Sequence, residues 1–177
     1  MIITHMHYDH VGNLALFPKV GFRIQNTEMA YVTGRAMTHP ILRHSFALFE
    51  VQEMVAMVYR DRAISHDGDD DLFPGITLHH FPGHARGLMG VRINTKRGWI
   101  ILASDTAHYY ESLTNEHVFM THENIFEMLE SYRSLIELGV DITRIIPDHD
   151  PDVLVRYPSL SEVLTGVVAV LHEKPSY

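Results

Sequence analysis

The chain has 177 residues, a length at which a single domain is expected, and 46% of them are hydrophobic, which is enough to form a buried core. Its formal net charge of −8 argues against nonspecific nucleic-acid binding, because no cationic surplus is present to neutralise phosphates. Cysteine is absent, which excludes disulfides, metal sites built on thiolates and cysteine nucleophiles.

The first part of the chain predicts an alternation of strands and helices. Residues 1–4 indicate the end of a buried strand, residues 12–17 a short helix, and residues 21–25 another strand. A mostly helical segment rich in Met, Phe, Tyr and Val is expected from residue 28 to about residue 63. Pro40 must break this segment, because proline lacks a backbone N–H and clashes with the preceding turn.

The middle of the chain is expected to form strands. An acidic turn at 67–71 and a Pro-Gly pair lead into three strand candidates, at residues 76–81, 88–94 and 98–103. The Lys-Arg-Gly sequence at 96–98 is typical of a hairpin turn and would join the last two strands.

The last part of the chain mixes both kinds of element. Residues 123–138 follow the spacing of an amphipathic helix, and Gly139 stands where a C-terminal cap belongs. A short strand is expected at 142–146 and a closing helix at 160–172. Mixed strands and helices without an internal repeat predict one layered α/β or α+β domain over residues 1–177.

A run of metal-binding side chains opens the sequence. His5, His7, Asp9 and His10 form an H-x-H-x-D-H pattern, with Gly12 after it. Alternate residues of an extended segment share a face, so His5 and His7 can reach one metal ion together. The bend that follows lets Asp9 and His10 aim at a second ion nearby. Three imidazoles and a carboxylate suit zinc, iron, manganese or cobalt.

Three later residues each follow an apolar strand and extend this ligand set. His84 lies on a Pro-Gly-His turn, at the kind of strand end where ligands collect. Burying the Asp105 carboxylate at the end of its strand would be costly, and bridging two metal ions would offset that cost. The alternative is that Asp105 caps the helix that follows. His149 ends the last strand between Asp148 and Asp150, which are candidate hydrogen-bond partners or capping residues.

These residues, in this order along the chain, resemble the metallo-β-lactamase superfamily. The resemblance covers His5 to His149 and implies an αββα sandwich of the α/β class with two divalent metal ions, zinc first among them. Because the motif begins at residue 5, N-terminal strands of that fold are expected to be missing, through truncation or a misassigned start. The ligands implied are His5, His7 and His84 for the first ion, Asp9, His10 and His149 for the second, and Asp105 as the bridge together with a hydroxide.

The stretch from Gly98 to Tyr110 looks closest to the lactonase branch of this superfamily, which includes N-acyl homoserine lactonases and 4-pyridoxolactonase. That branch often has a tyrosine three residues after the bridging aspartate, where it hydrogen-bonds the lactone carbonyl. Here His108 holds that position and Tyr109 follows, so both are candidates for this role. The resemblance implies that a metal-bridging hydroxide opens a lactone, with Asp9 or Asp105 shuttling the proton.

Two other interpretations of the metal motif stay open. A thioesterase of the glyoxalase II type would use the same ions, but it needs basic residues for a glutathione carboxylate, and the sequence offers no convincing set. A metal-binding but inactive truncated fragment is the interpretation that the short N-terminus favours. An exposed first strand also predicts self-association into a homo-oligomer.

The sequence is less specific about substrate and location. Residues 29–57, rich in methionine and aromatic side chains, either line an apolar substrate pocket or pack against the sheet. The expected partner is a small-molecule lactone or ester. Without an apolar run of about 18 residues or a signal peptide, the sequence predicts no membrane association and a cytoplasmic location.

Overall fold

The computed structural model describes residues 1–177, and its strands form two sheets. The smaller sheet pairs β1 (Phe22–Gln25) with β2 (Ala63–His66) in parallel. Five strands form the larger sheet and are hydrogen-bonded in chain order: β3 (Asp70–Phe73), β4 (Ile76–His80), β5 (Met89–Thr95), β6 (Gly98–Ser104) and β7 (Ile145–Pro147). Neighbouring strands are antiparallel except β6 and β7, which run parallel. The carboxyl ends of β4, β6 and β7 therefore meet at one edge of this sheet.

Seven α-helices and four short 3-10 helices connect the strands. The α-helices are α1 (Tyr8–Val11), α2 (Asn26–Val32), α3 (Pro40–Arg43), α4 (Leu48–Tyr59), α5 (Tyr110–Thr114), α6 (Ile125–Gly139) and α7 (Asp152–Arg156). The 3-10 helices are Leu14–Leu16, Arg35–Thr38, Ile142–Arg144 and Glu162–Leu164. Not one of these helices combines the length and the apolar character needed to cross a lipid bilayer.

The longest helix, α6, packs on the larger sheet. Its apolar stripe, which includes Met128, Tyr132 and Leu135, shares a buried cluster with Ile101 of β6. Asn124 caps the helix, because its side-chain oxygen accepts hydrogen bonds from the N–H groups of the first turn. Removing this apolar surface from water is the main force that holds the helix on the sheet.

The N-terminal segment connects the two sheets. The N–H of Ile3 donates to the carbonyl of Arg23 in β1, at 2.9 Å. The N–H of Met89 in β5 donates to the carbonyl of Thr4, also at 2.9 Å. A second buried apolar cluster lies beside this segment and includes Met6, Phe22, Ile24 and Met54.

The α/β class is confirmed, and so are most of the predicted elements. The strands expected at 21–25, 76–81, 88–94 and 98–103 are β1, β4, β5 and β6, with ends that differ by at most one residue. The hairpin turn between β5 and β6 is present, and the helix expected at 123–138 is α6. Alternating apolar residues and turn residues were therefore sufficient to locate β4, β5 and β6, the three central strands of the larger sheet.

Several predictions in the first half of the chain are wrong in detail. Residues 1–4 form only a single bridge, between Ile2 and Arg23, and no strand. The helix expected at 12–17 is a 3-10 turn, and α1 begins earlier, at Tyr8. The segment expected to be mostly helical from 28 to about 63 is helical, but in four pieces: α2, the 3-10 helix Arg35–Thr38, α3 and α4. The helical segment is interrupted before Pro40, as expected, and Pro40 then begins α3, since proline suits the first helical position.

Two strands were not expected from the sequence. Residues 63–66, of which only Ala63 was placed at the end of the helical segment, form β2 because they pair with β1 over four residues. Residues 70–73 belong to β3 and not to an acidic turn. The side chains of Asp70 and Asp71 are exposed on this edge strand, where charged residues prevent pairing with other chains.

The closing helix expected at 160–172 is also wrong. The segment contains only the 3-10 turn Glu162–Leu164. Gly166 follows with a φ of 74°, a left-handed conformation that stops a helix, and β-branched valines come next.

The turn after α6 differs from its prediction because of close packing. Gly139 is the last residue of α6, and Val140, with a φ of 64°, occupies the cap position. A Cβ atom on Gly139 would lie 2.5 Å from Cγ1 of Ile145, so only glycine fits between the helix and β7. The strand expected at 142–146 begins at Ile145, after a 3-10 turn.

Candidate metal centre

The candidate ligands converge on the edge of the larger sheet where β4, β6 and β7 end. Asp105 comes directly after β6, and Asp148 and His149 come directly after β7. His84 follows β4 on a turn that contains Gly83, whose φ is 131°. A Cβ atom on Gly83 would lie 2.3 Å from a backbone nitrogen of α6, so the turn requires glycine.

A first group of ligand atoms lies in the interior. It consists of His5, His7, His84 and Asp105, whose ligand atoms all lie within 4.8 Å of one another. Nδ1 of His7 is 3.0 Å from Nε2 of His84, which is 3.1 Å from Oδ2 of Asp105. Nε2 of His5 lies 3.8 Å from the same oxygen. All four side chains are buried.

A second group lies closer to the surface. It consists of His10, Asp105, Asp148 and His149, again with ligand atoms within 4.8 Å of one another. Oδ1 of Asp105 is 3.3 Å from Nε2 of His10 and 3.3 Å from Nε2 of His149. Oδ2 of Asp148 is 3.8 Å from Nε2 of His10. The two oxygens of Asp105 thus face one group each.

The structure brings six of the seven predicted ligands into these two groups and leaves Asp9 at their rim. Oδ2 of Asp9 is 3.7 Å from Nε2 of His10 and 3.9 Å from Nε2 of His149. Asp148 joins the second group, although the sequence predicted it only as a hydrogen-bond partner or a capping residue. Its position directly after the strand that carries His149 was the available signal. Asp150 is a cap, because it accepts hydrogen bonds from the N–H groups of Tyr110 and Asp152.

The protonation states of several of these residues suit the binding of a cation. Burial lowers the pKa of His7 to about 3, and burial also holds the pKa of His5 well below its ordinary value, so both imidazoles are neutral and offer lone pairs. Although burial favours a neutral acid, the imidazoles of His10, His108 and His84 beside the carboxylate hold the pKa of Asp105 far below its ordinary value. A carboxylate facing neutral imidazoles is the state that metal binding needs.

Unpartnered atoms point to the same conclusion. Nε2 of His5, Nε2 of His10 and Oδ1 of Asp105 are buried and have no hydrogen-bond partner. Buried polar atoms without partners are costly, and one divalent cation in each ligand group would satisfy all three. The residues present therefore fit the metal ions that this donor set is suited to bind.

His108 and Tyr109 differ in their surroundings. His108 is buried, with Nε2 3.3 Å from Oδ2 of Asp105 and its ring stacked on Phe119 at a centroid distance of 3.9 Å. Burial lowers the pKa of His108 despite the nearby carboxylate. Tyr109 is 40% exposed, and both residues line a cavity of about 370 Å³ beside the two ligand groups.

A second cavity of about 280 Å³ shares His7 and His84 with the first one and is more apolar. Its apolar lining residues are Tyr31, Ile41, Leu42, Phe46, Ala85 and Met120. Within residues 29–57, Tyr31 and Phe46 line this cavity, whereas Met54 and Met57 are buried in the core. That the cavity takes a substrate stays a prediction.

An α/β fold that presents two groups of histidine and aspartate ligands at a sheet edge defines a candidate site for two metal ions. The family model of the Metallo-beta-lactamase superfamily matches residues 1–155, and the chain belongs to this superfamily.

Curated relatives are distant and longer than this chain. A probable metallo-hydrolase of Mycobacterium tuberculosis is 24% identical over 171 residues, which cover 88% of this chain and 52% of the relative. An N-acyl homoserine lactonase of Bacillus thuringiensis subsp. kurstaki is 24% identical over 167 residues, covering 84% of this chain and 60% of the lactonase. The chain thus spans about half the length of the curated relatives it matches.

Solved structures share the fold. An N-acyl homoserine lactone hydrolase with the product N-hexanoyl-L-homoserine at its catalytic metal centre superposes with a TM-score of 0.69, at 23% identity. A probable metal-dependent hydrolase from Staphylococcus aureus gives a TM-score of 0.70 at 16% identity. These matches cover 84% and 85% of this chain, and 54% of each neighbour.

Proposed function

We propose that the chain is a single metallo-hydrolase domain over residues 1–177 that opens a lactone ring with the help of two divalent metal ions. Zinc is the preferred candidate for these ions, and iron, manganese and cobalt are the alternatives. The observation that carries the proposal is the division of the Asp105 carboxylate, with one oxygen toward each ligand group. In such a site two bound ions would lower the pKa of a shared water toward neutrality and polarise an ester carbonyl. The relatives that act on, or bind products of, acyl homoserine lactones favour that substrate class.

The proposed ligands of the second ion include Asp9. Its Oδ2 lies 3.7 Å from Nε2 of His10 and 3.9 Å from Nε2 of His149, whereas Oδ2 of Asp148 is 3.8 Å from Nε2 of His10 and within 4.8 Å of the ligand atom of His149. Burial and the charge of Asp105 raise the pKa of Asp148, which makes its carboxylate a weaker ligand than that of an ordinary aspartate. In this assignment Asp9 binds the ion and accepts the proton of the attacking water.

Tyr109 is the proposed donor to the lactone carbonyl. His108 already places Nε2 beside Asp105, and in the tautomer with the proton on Nε2 its buried Nδ1 has no hydrogen to donate. The Tyr109 side chain is half-exposed on the cavity, and a phenol is a good donor to a carbonyl that becomes negative during attack. In this proposal His108 therefore interacts with Asp105, and Tyr109 donates a hydrogen bond to the carbonyl of the substrate.

The two cavities suit an acyl lactone better than a glutathione thioester. The polar cavity would take the lactone ring, and the adjoining apolar cavity would take an acyl chain through Tyr31, Ile41 and Phe46. No lysine or arginine lines either cavity, so neither offers the cation that a glutathione carboxylate needs. The sequence also predicts a homo-oligomer, a cytoplasmic location and no nucleic-acid or membrane partner. These remain predictions.

Metal content and turnover of the purified chain test the proposal. We expect about two zinc ions per chain and hydrolysis of N-acyl homoserine lactones that stops when a chelator removes the metal. A glutathione thioester serves as the competing substrate. Two bound ions without any turnover would favour an inactive fragment, and faster thioester than lactone hydrolysis would favour the thioesterase.

A further inference from the structure

A buried carboxylate outside the two ligand groups has no cation beside it. The Glu28 side chain in α2 is 0% exposed and forms no ion pair. Its Oε1 accepts a hydrogen bond from the N–H of Met6 at 2.8 Å, and its Oε2 accepts one from the N–H of Gly87 at 2.7 Å. Burying a carboxyl group without a counterion costs free energy, so we expect Glu28 to have a role that offsets this cost.

The two donors belong to the two segments that carry the first ligand group. Met6 lies between His5 and His7, and Gly87 lies three residues after His84. These segments are 77 residues apart in sequence where His7 and His84 meet. Glu28 is therefore a direct connection between the backbones on both sides of that group.

The connection depends on close contact. A Cβ atom on Gly87 would lie 2.5 Å from both Cβ and the backbone nitrogen of Glu28, so glycine lets the turn reach the carboxylate. A carboxylate offers an acceptor oxygen to each N–H, whereas an amide offers one acceptor and one NH₂ that would face the second N–H. The geometry thus requires an acid of this length.

We propose, building on the metal-dependent function above, that Glu28 is a positioning residue that holds the His5–His7 segment and the His84 turn at the spacing that one metal ion needs. Glu28 touches neither the ion nor the substrate in this assignment. Partners that orient metal ligands in this way change metal affinity by roughly 10–100-fold when they are replaced.

Gln25 provides a matched control. It is also fully buried, and it also joins distant backbone groups: its Nε2 donates to the carbonyl of Gly68 at 2.6 Å, and its Oε1 accepts from the N–H of Gly68 at 2.9 Å. Gly68 belongs to neither ligand group. Gln25→Glu therefore disturbs a buried hydrogen-bond pair of the same kind without acting on the ligand segments.

The experiment measures zinc affinity by competition with a chromophoric chelator, and the visible spectrum after substitution with cobalt, for wild-type, Glu28→Gln and Gln25→Glu chains. We expect Glu28→Gln to weaken zinc binding by about tenfold or more and to change the cobalt spectrum. Gln25→Glu should lower the melting temperature and leave affinity within about twofold of wild type, since its partner lies away from the ligands.

Two outcomes would overturn the inference: a folded Glu28→Gln chain with wild-type zinc affinity, or equal losses of affinity in both variants. If Glu28→Gln does not fold, Glu28→Asp, which can reach only one of the two N–H groups, is measured in its place against the same expectation. A wild-type chain that binds no zinc would defeat the proposed function and this inference together. Zinc binding that depends on Glu28 without lactone turnover would defeat only the lactonase proposal.

Discussion

Nδ1 of His7 lies 3.0 Å from Nε2 of His84, although 77 positions separate the two residues in the sequence. Burial and the neighbouring His84 ring lower the pKa of His7 to about 3, so its imidazole is neutral at neutral pH. Two imidazole nitrogens that are held this close beside the Asp105 carboxylate would be preorganised for a metal ion, because little rearrangement is needed for all three to bind one cation.

Replacement of Asp105 by asparagine tests the shared carboxylate. Asparagine keeps one acceptor oxygen but loses the charge and the second oxygen, so we expect Asp105→Asn to bind fewer than about two ions and to lose more than about 100-fold in kcat/KM. Metal analysis and lactone kinetics measure both effects. Asp71→Asn, an exposed change on the edge strand β3, is the control and should keep wild-type values. Full activity of Asp105→Asn would rule out the bridging role.

The roles of Asp9 and Asp148 are separable by a pair of variants. If Asp9 binds the second ion, Asp9→Asn should reduce the metal content toward one ion per chain. The amide of Asp148→Asn can donate a hydrogen bond to Asp105, so this variant should keep both ions and lose less than about tenfold in kcat/KM. The reverse pattern, with the second ion lost from Asp148→Asn alone, would transfer the ligand role to Asp148. Both variants replace an aspartate beside His10 by an amide of the same size, which makes them controls for each other.

Tyr109→Phe should leave the metal content unchanged and lower kcat/KM for lactones by about 10–1,000-fold, because a donor to the developing oxyanion is lost. His108→Ala should instead weaken metal binding, since it removes the group that lies 3.3 Å from Oδ2 of Asp105. Tyr59→Phe, on the exposed end of α4, controls for loss of a phenol elsewhere. An active Tyr109→Phe chain would return the donor role to His108.

The candidate site was predictable where its residues follow short-range rules. The H-x-H-x-D-H run places four side chains within six residues, and His84, Asp105 and His149 each follow a strand that its apolar pattern identifies. Interactions between distant segments could not be read in this way. Glu28 is attached to backbone N–H groups 22 and 59 positions away, and no residue pattern indicates a backbone donor.

The errors in the fold have a similar origin. Asp70 and Asp71 form a strand because β4 pairs with them, not because aspartate favours strands. Gly139 looks like a helix cap, but its function is to let α6 approach Ile145 of β7. In both cases tertiary packing overrode the local preference of the residue.

The pH dependence of unfolding in the metal-free chain gives a further prediction. Burial raises the pKa of Glu28 to about 7, against an ordinary value of 4.5. Because the folded chain binds this proton more tightly than the unfolded chain, the contribution of Glu28 to stability is present below about pH 4.5 and is lost as the pH rises through about 7. Between about pH 5 and pH 8 the loss amounts to roughly 2–3 kcal/mol.

Glu28→Gln removes this titration, so the measurement is a difference between two chains. Urea unfolding of the metal-free wild type and of Glu28→Gln, at several pH values in that interval, should show the free energy of unfolding of the wild type falling relative to the variant as the pH rises. Other groups that titrate in the same range, including the buried histidines, are present in both chains and cancel in the difference. A difference that does not change with pH would mean that Glu28 titrates near its ordinary pKa, in which case its two backbone hydrogen bonds would outweigh the effect of burial.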